Sequence, residues 1–118
     1  MDELKIKSIP GSRDGIRILH LSGPFVLQGV FDFQSAVRAG SEPITIVDLA
    51  DVPFMDSAAL GAVMGLHASS QRQNRKYALA AASERLRTLF EVAGVSKILV
   101  NFPTVTEAEQ RLGAGAPA

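Results

Sequence analysis

Cysteine and tryptophan are both absent from the 118 residues, and so is net charge, because twelve basic side chains balance twelve acidic ones. Without cysteine there are no disulfides and no thiol chemistry, which suits a reducing compartment, and a cytoplasmic location is expected. Without excess positive charge there is no electrostatic footprint for nucleic acid, and the one basic run of note is Arg75-Lys76. The longest uncharged apolar run, 58–66, is too short to span a bilayer, so no direct membrane insertion is expected. The opening "MDELKIKSIP" is charged and lacks the apolar centre of a signal peptide. Neither G-x-x-x-x-G-K-[ST] nor G-x-G-x-x-G occurs, which removes the usual nucleotide cradles. The two histidines, His20 and His67, fall in different elements with no clustered carboxylates nearby in sequence. Each reads as a packed or hydrogen-bonded residue, and neither a metal nor a cofactor is expected, because metal sites need several convergent ligands.

What is present is an ordinary core-forming composition, 47% hydrophobic and 20% charged, in a length that fits one domain. "LKIKSI" (4–9) and "IRILHLSG" (16–23) alternate as half-buried strands do, and "PGSRDG" between them reads as the turn of a hairpin. In 27–40, Leu27, Val30, Phe31, Gln34 and Val37 follow helical spacing, with Phe33 and Val37 as a second pair and Gly40 as the stop. "PITIVDLA" (43–50) is a nearly continuous apolar run, as in a central strand covered on both faces. A helix follows over 57–73, with Leu60, Val63, Met64 and His67 on one face. Its small residues, Ala58, Ala59, Gly61, Ala62 and Gly65, are expected to let it pack close to a sheet. "KYALAAA" (76–82) reads as a strand and 83–94 as a helix capped by Ser83 and stopped by Gly94. "KILVNF" (97–102) reads as a strand. The last helix, 103–113, opens with a capping box at Thr104-Val105-Thr106-Glu107. After the hairpin, helices and strands alternate, which implies right-handed crossovers on a mostly parallel sheet.

The stretch "VPFMDSAALGAVMGLHASS" (52–70) places Asp56 and Ser57 between an apolar run and the small-residue helix. Either side chain can cap that helix, because the first-turn N–H groups lack intrahelical partners. The same position tolerates added negative charge, so a phosphoserine there leaves the helix intact. Phe54 is expected in the core and Met55 partly exposed. Ser57, His67 and Asp48 make a Ser-His-Asp set on paper, but no nucleophile elbow accompanies them, and an enzyme is the weakest reading.

The segment 47–69, with its loop Phe54-Met55-Asp56-Ser57-Ala58-Ala59-Leu60-Gly61, resembles the STAS domain of bacterial anti-sigma factor antagonists. The run 83–113 is similar to the family's third helix through last helix. The resemblance implies an α/β, STAS-type fold over 1–113: a four- to five-stranded mixed sheet with about four helices packed against it. It leaves 114–118 as a disordered tail. It also implies a binding module that is not an enzyme. Ser57 would be phosphorylated by an anti-sigma factor that is also a serine kinase, and a phosphatase acting on phospho-Ser57 would reverse this. The unphosphorylated form would bind the anti-sigma factor and release the sigma factor. Met55, Asp56, Ser57, Ala58 and Leu60 would form the partner surface, with Asp56 capping the helix or orienting the serine. A scaffold or accessory subunit of a stress-signalling complex or membrane transporter, with no phosphorylation cycle, is the alternative. Three positions depart from the family pattern. Gly23-Pro24-Phe25-Val26 stands where Gly-Glu-Leu-Asp is frequent, Ala58-Ala59 where Ser-Gly is common, and "NRK" (74–76) where a glycine precedes the fourth strand.

Overall fold

The computed structural model describes residues 3–114. Along them run β1 (Lys5–Pro10), β2 (Ile16–Ser22), α1 (Leu27–Ala39), β3 (Ile44–Asp51), α2 (Ser57–Arg72), β4 (Lys76–Ala80), α3 (Glu84–Val92), β5 (Asn101–Phe102) and α4 (Val105–Ala114). The element order is the expected one. Of the tail expected at 114–118, Ala114 closes α4 and the rest lies outside the described residues.

The strands form one mixed sheet in the order β1-β2-β3-β4-β5. β1 and β2 make the expected antiparallel hairpin, with Ile6 opposite Leu21. Every pairing from β2 to β5 is parallel. Right-handed crossovers taken in one direction along a sheet lay their helices on one face. Accordingly Phe33 of α1, Ala59, Val63 and Leu66 of α2, and Leu86 and Phe90 of α3 share a core with Leu19, Leu21, Val47, Leu49 and Leu79. α4 follows the last strand and covers the other face, where Ala108 packs with Ile16, Ile18, Ile44, Ile46, Ala78 and Ala80. Cover on both faces is why β3 carries a continuous apolar run. The edge strand β1 presents Lys5, Lys7 and a terminal Pro10, which discourage further strand pairing.

The ends of the helices follow from sequence more closely than their faces do. Ser83 accepts the Leu86 N–H at 3.2 Å and Thr104 accepts that of Glu107 at 3.0 Å. Gly94 takes φ +77°, with Gly94 N–H bonded to the Glu91 carbonyl and Val95 N–H to that of Phe90. That is a Schellman ending, which favours glycine at the left-handed position. α1 differs from expectation. Leu27 and Phe31 are exposed, while Gly29 and Phe33 are buried. Gly29 lies against Leu4, whose side chain a Cβ would meet at 2.9 Å, so the helix turns that face inward. In α2 the residues that press on the sheet are Ala59 and Ala62, whereas Gly61 and Gly65 face open space. The strand expected over 97–102 shrinks to two residues. The Val95 carbonyl accepts the N–H groups of both Ile98 and Leu99, which curls the preceding segment into a turn.

Candidate functional site

At the carboxyl ends of β2 and β3, the segments 23–26 and 52–56 run side by side. Phe25 and Met55 form an isolated parallel bridge. The Phe25 N–H donates to the Phe54 carbonyl at 3.1 Å, and the Asp56 N–H to the Phe25 carbonyl at 3.2 Å. Phe25 is fully buried against Phe33, with ring centroids 4.9 Å apart, and Val52 is buried beside them. Three apolar anchors therefore seat the loop before α2 begins.

The bridge decides which loop side chains turn inward. Met55, expected to be partly exposed and counted in the partner surface, is 8% exposed and belongs to the core. Phe54, expected in the core, is 39% exposed and lies under the Arg85 guanidinium, 5.5 Å from the ring centroid. The Met55 assignment is corrected on this ground: its side chain is committed to packing, and Phe54 is the aromatic that the loop presents.

Asp56 is the N-cap of α2. Its Oδ1 accepts the Ala59 N–H at 2.9 Å, and its backbone carbonyl accepts the Leu60 N–H at 3.0 Å. Its Oδ2 accepts the Leu27 N–H, the first amide of α1, at 3.0 Å. The N-cap of α1 is Val26, whose side chain has no acceptor. One carboxylate thus serves two helix N-termini, each carrying roughly half a positive charge. Ser57 follows at the first position of α2, exposed. Among the described residues its hydroxyl has no hydrogen-bond partner, so the cap is Asp56 and the serine is free. Ala58 and Leu60 are half-buried.

Sequence reasoning missed the apolar surface beside the serine. Leu27 and Phe31 stand one turn apart on α1, 64% and 70% exposed. Leu27 touches Asp56 through its own amide. The signal is present as the i, i+4 pair, but helical spacing alone does not say whether that face meets the core or solvent.

The Ser-His-Asp set is not assembled. His67 lies ten residues along α2 from Ser57, ~15 Å by helical rise, and its Nδ1 is 2.8 Å from the Tyr77 hydroxyl. Tyr77 in turn accepts the Val100 N–H at 3.1 Å. Burial raises its pKa, a trend the Val100 bond opposes. Asp48 is engaged with His20 instead, at 2.9 Å from Nδ1, while Asp51 meets Nε2 at 2.9 Å. The carboxylates that seemed unclustered in sequence are therefore brought together by the β2–β3 register, His20 opposite Asp48. The hydrogen bond to Asp48 leads the causes that raise the His20 pKa, burial opposes it, and Asp51 adds to the rise. No group of metal ligands of three or more occurs among the described residues. No helix among them is long and apolar enough to cross a membrane.

Residues 11–108 match the family profile of the STAS domain. An anti-sigma-B factor antagonist from Listeria monocytogenes is 38% identical over 53 residues, covering 45% of this chain and 46% of the relative, so less than half of that relative's length is matched. Among solved structures, a Thermotoga maritima protein described as an anti-sigma factor antagonist superposes with a TM-score of 0.82 at 18% identity, over 92% of this chain and 94% of that one. The anti-sigma factor antagonist SpoIIAA in its unphosphorylated form gives 0.75 at 19% identity, over 96% and 100%. Its phosphorylated form, from Bacillus, gives 0.68 at 20%, over 92% and 99%.

Proposed function

The chain belongs to the STAS domain family, and from that premise we propose that it is an anti-sigma factor antagonist switched at Ser57. In its unphosphorylated form it binds an anti-sigma factor that is also a serine kinase, and so releases the sigma factor. The kinase transfers the γ-phosphoryl group of ATP to the Ser57 hydroxyl and its own base takes the hydroxyl proton. A phosphatase removes the group and restores binding. In this reading the chain is a substrate and a binding module, acting in the cytoplasm, and not an enzyme.

The observation that carries the reading is the state of Ser57. It is exposed, unbonded, and set at the start of α2 by a neighbour that already does the capping. A phosphoryl group added there meets two helix N-termini and no core, so the fold accepts it. Exposed apolar side chains stand on the neighbouring elements: Leu27, whose amide Asp56 holds, Phe31 one turn further along α1, and Phe54 in the loop before Asp56. An apolar partner surface docked on them would have to desolvate about −1.5 to −2 charges. The two positions that often carry acidic residues in the family are here taken by Pro24 and Val26, both half-buried and uncharged. Recognition at this edge therefore rests on apolar contact more than on carboxylates.

The test is direct. Incubated with ATP and the anti-sigma kinase, the chain should gain a single phosphoryl group by intact mass, and Ser57→Ala should gain none. If Ser57→Ala is labelled as fully as wild type, the assignment fails. If neither is labelled while the kinase still binds, the scaffold alternative takes its place.

A further inference from the structure

A cleft between the C-terminal halves of α1 and α2, far along both helices from Ser57, plays no part in that switch. Its volume is about 510 Å³, inside the range of roughly 300–1,000 Å³ typical of small-molecule sites. Four of the chain's eight arginines line it, Arg17, Arg38, Arg72 and Arg75, with Lys76 beside them. Among the described residues no carboxylate lines it. In a chain of zero net charge this is a strong local excess.

Each cation has an ordinary role to set against a binding one. Arg38 and Arg72 occupy the last turns of α1 and α2, where positive charge complements the helix end. Lys76 reaches the Leu112 carbonyl of α4 at 3.4 Å, so its amine is turned to the other face of the sheet. Arg17 is buried, and it donates to the carbonyls of Ala36 at 2.6 Å and Val37 at 3.0 Å and to Thr45 Oγ1 at 3.1 Å. Its guanidinium lies against Gly40, where any side chain would collide with it, which is why that residue is glycine although its φ is −98°. Its Nε is buried without a hydrogen bond, 3.8 Å from a Glu42 Oε1 that also has none. Arg75 makes one long bond, 3.4 Å to the Gly40 carbonyl. Structural duty therefore accounts for Arg17 and Lys76, and only in part for the other three.

The opposing charges do not cancel the excess. Two helix C-termini contribute about −0.5 each, and Glu42 contributes one more. Counting the four arginines and leaving out Lys76, which is turned away, the cleft remains positive by roughly two charges. Arginines gathered on a concave wall focus a positive potential, and their forks fit oxyanions with several acceptor oxygens.

We propose that this cleft binds a small oxyanion of the diphosphate class, held by Arg72 and Arg75 with Arg38 at the rim and buried Arg17 beneath. Two linked phosphates bring more acceptor oxygens and more negative charge to these guanidinium groups than one phosphate does. Gly65 lines the same cleft and has nothing within 4 Å of where a Cβ would stand. A Cβ can therefore be placed there without striking the protein, a longer side chain built on it takes up cleft volume, and removing glycine from a helix interior favours the helix.

Inorganic pyrophosphate is the probe, titrated calorimetrically into the purified chain at fixed ionic strength, with inorganic phosphate in parallel and no kinase present. Saturable one-to-one binding is expected, at least ~10-fold tighter for pyrophosphate than for phosphate. Arg72→Gln with Arg75→Gln should weaken it by at least ~10-fold, and Gly65→Leu should abolish it, each with an unchanged circular dichroism spectrum. Lys97→Gln with Arg111→Gln removes two exposed cations elsewhere and should leave the dissociation constant unaltered. Failure of wild type to saturate at millimolar pyrophosphate overturns the proposal. So does an equal loss in the Lys97/Arg111 control, which would mark a diffuse charge effect. Neither failure bears on phosphorylation at Ser57.

Discussion

The two oxygens of Asp56 accept from amides in different helices, and that geometry separates what an acidic residue does here from what an amide can do. Asparagine keeps one carbonyl oxygen and presents an NH2 where the second acceptor was. Asp56→Asn should therefore retain the bond to the Ala59 N–H and lose the one to the Leu27 N–H, along with the negative charge near two helix ends. Asp56→Ala loses both. An N-cap substitution costs about 0.5–2 kcal/mol. Denaturant midpoints should order wild type above Asp56→Asn above Asp56→Ala, with the alanine variant at or beyond the upper end of that range. Equal midpoints for Asn and Ala would mean that the Leu27 bond carries the effect alone. Ser57→Ala should stay close to wild type in the same assay, because the serine hydroxyl caps nothing and alanine favours a helix interior. The capping aspartate and the exposed serine were legible in the sequence, since N-cap chemistry is local. The inward turn of Met55 was not, because it depends on the bridge to Phe25, thirty residues earlier in the chain.

Among the elements, the ends of β2 and β3 are tied by His20, which sits between Asp48 and Asp51 and faces Lys7 across the register with β1. The carboxylates hold the imidazolium, chiefly through the Asp48 hydrogen bond, so the native pKa is raised above 6.5. A raised native pKa gives stability that is fully present below the unfolded value and is lost as pH rises through the native one. Urea midpoints of wild type and His20→Gln should accordingly differ most just below pH 6.5 and converge on the alkaline side. A gap that widens with rising pH would contradict this assignment. The cluster was hidden in the sequence because the offset between His20 and Asp48 is set by strand register. Helix faces posed a similar problem. The period of α1 allows a Leu27–Phe31 stripe or a Gly29–Phe33 stripe, and tertiary packing, of Leu4 on Gly29 and of Phe25 on Phe33, chooses between them. Alternating strands and helices, by contrast, specified the sheet, because right-handed crossovers leave little freedom once the order is known.

For the molecule as a whole, α1 and α2 begin together at Asp56 and end together at the arginine cleft, while the sheet beneath them is buried on both faces. A charge placed at Ser57 therefore acts on a rigid platform, and its effects on folding and on binding should separate. Ser57→Asp puts a permanent carboxylate at the start of α2. The helix ends favour it by about 0.3–1 kcal/mol, and repulsion from Asp56 next to it offsets part of that, weakly, because the site is exposed and screened by salt. The denaturant midpoint should stay at or slightly above that of wild type. Affinity for the anti-sigma factor should fall sharply, because the charge must be desolvated against Leu27, Phe31 and Phe54. Phe31→Ser should lower affinity too, with little change in stability, because that ring is 70% exposed and contributes little to the core. Phe33→Ala, two residues away and buried, should instead cost about 3–5 kcal/mol of stability. Measured together, the four proteins distinguish a surface switch from a damaged helix. If Ser57→Asp loses stability and affinity in step, the charge acts by disrupting the start of α2. If its affinity is unchanged while that of Phe31→Ser collapses, the partner docks on α1 and leaves Ser57 outside the interface.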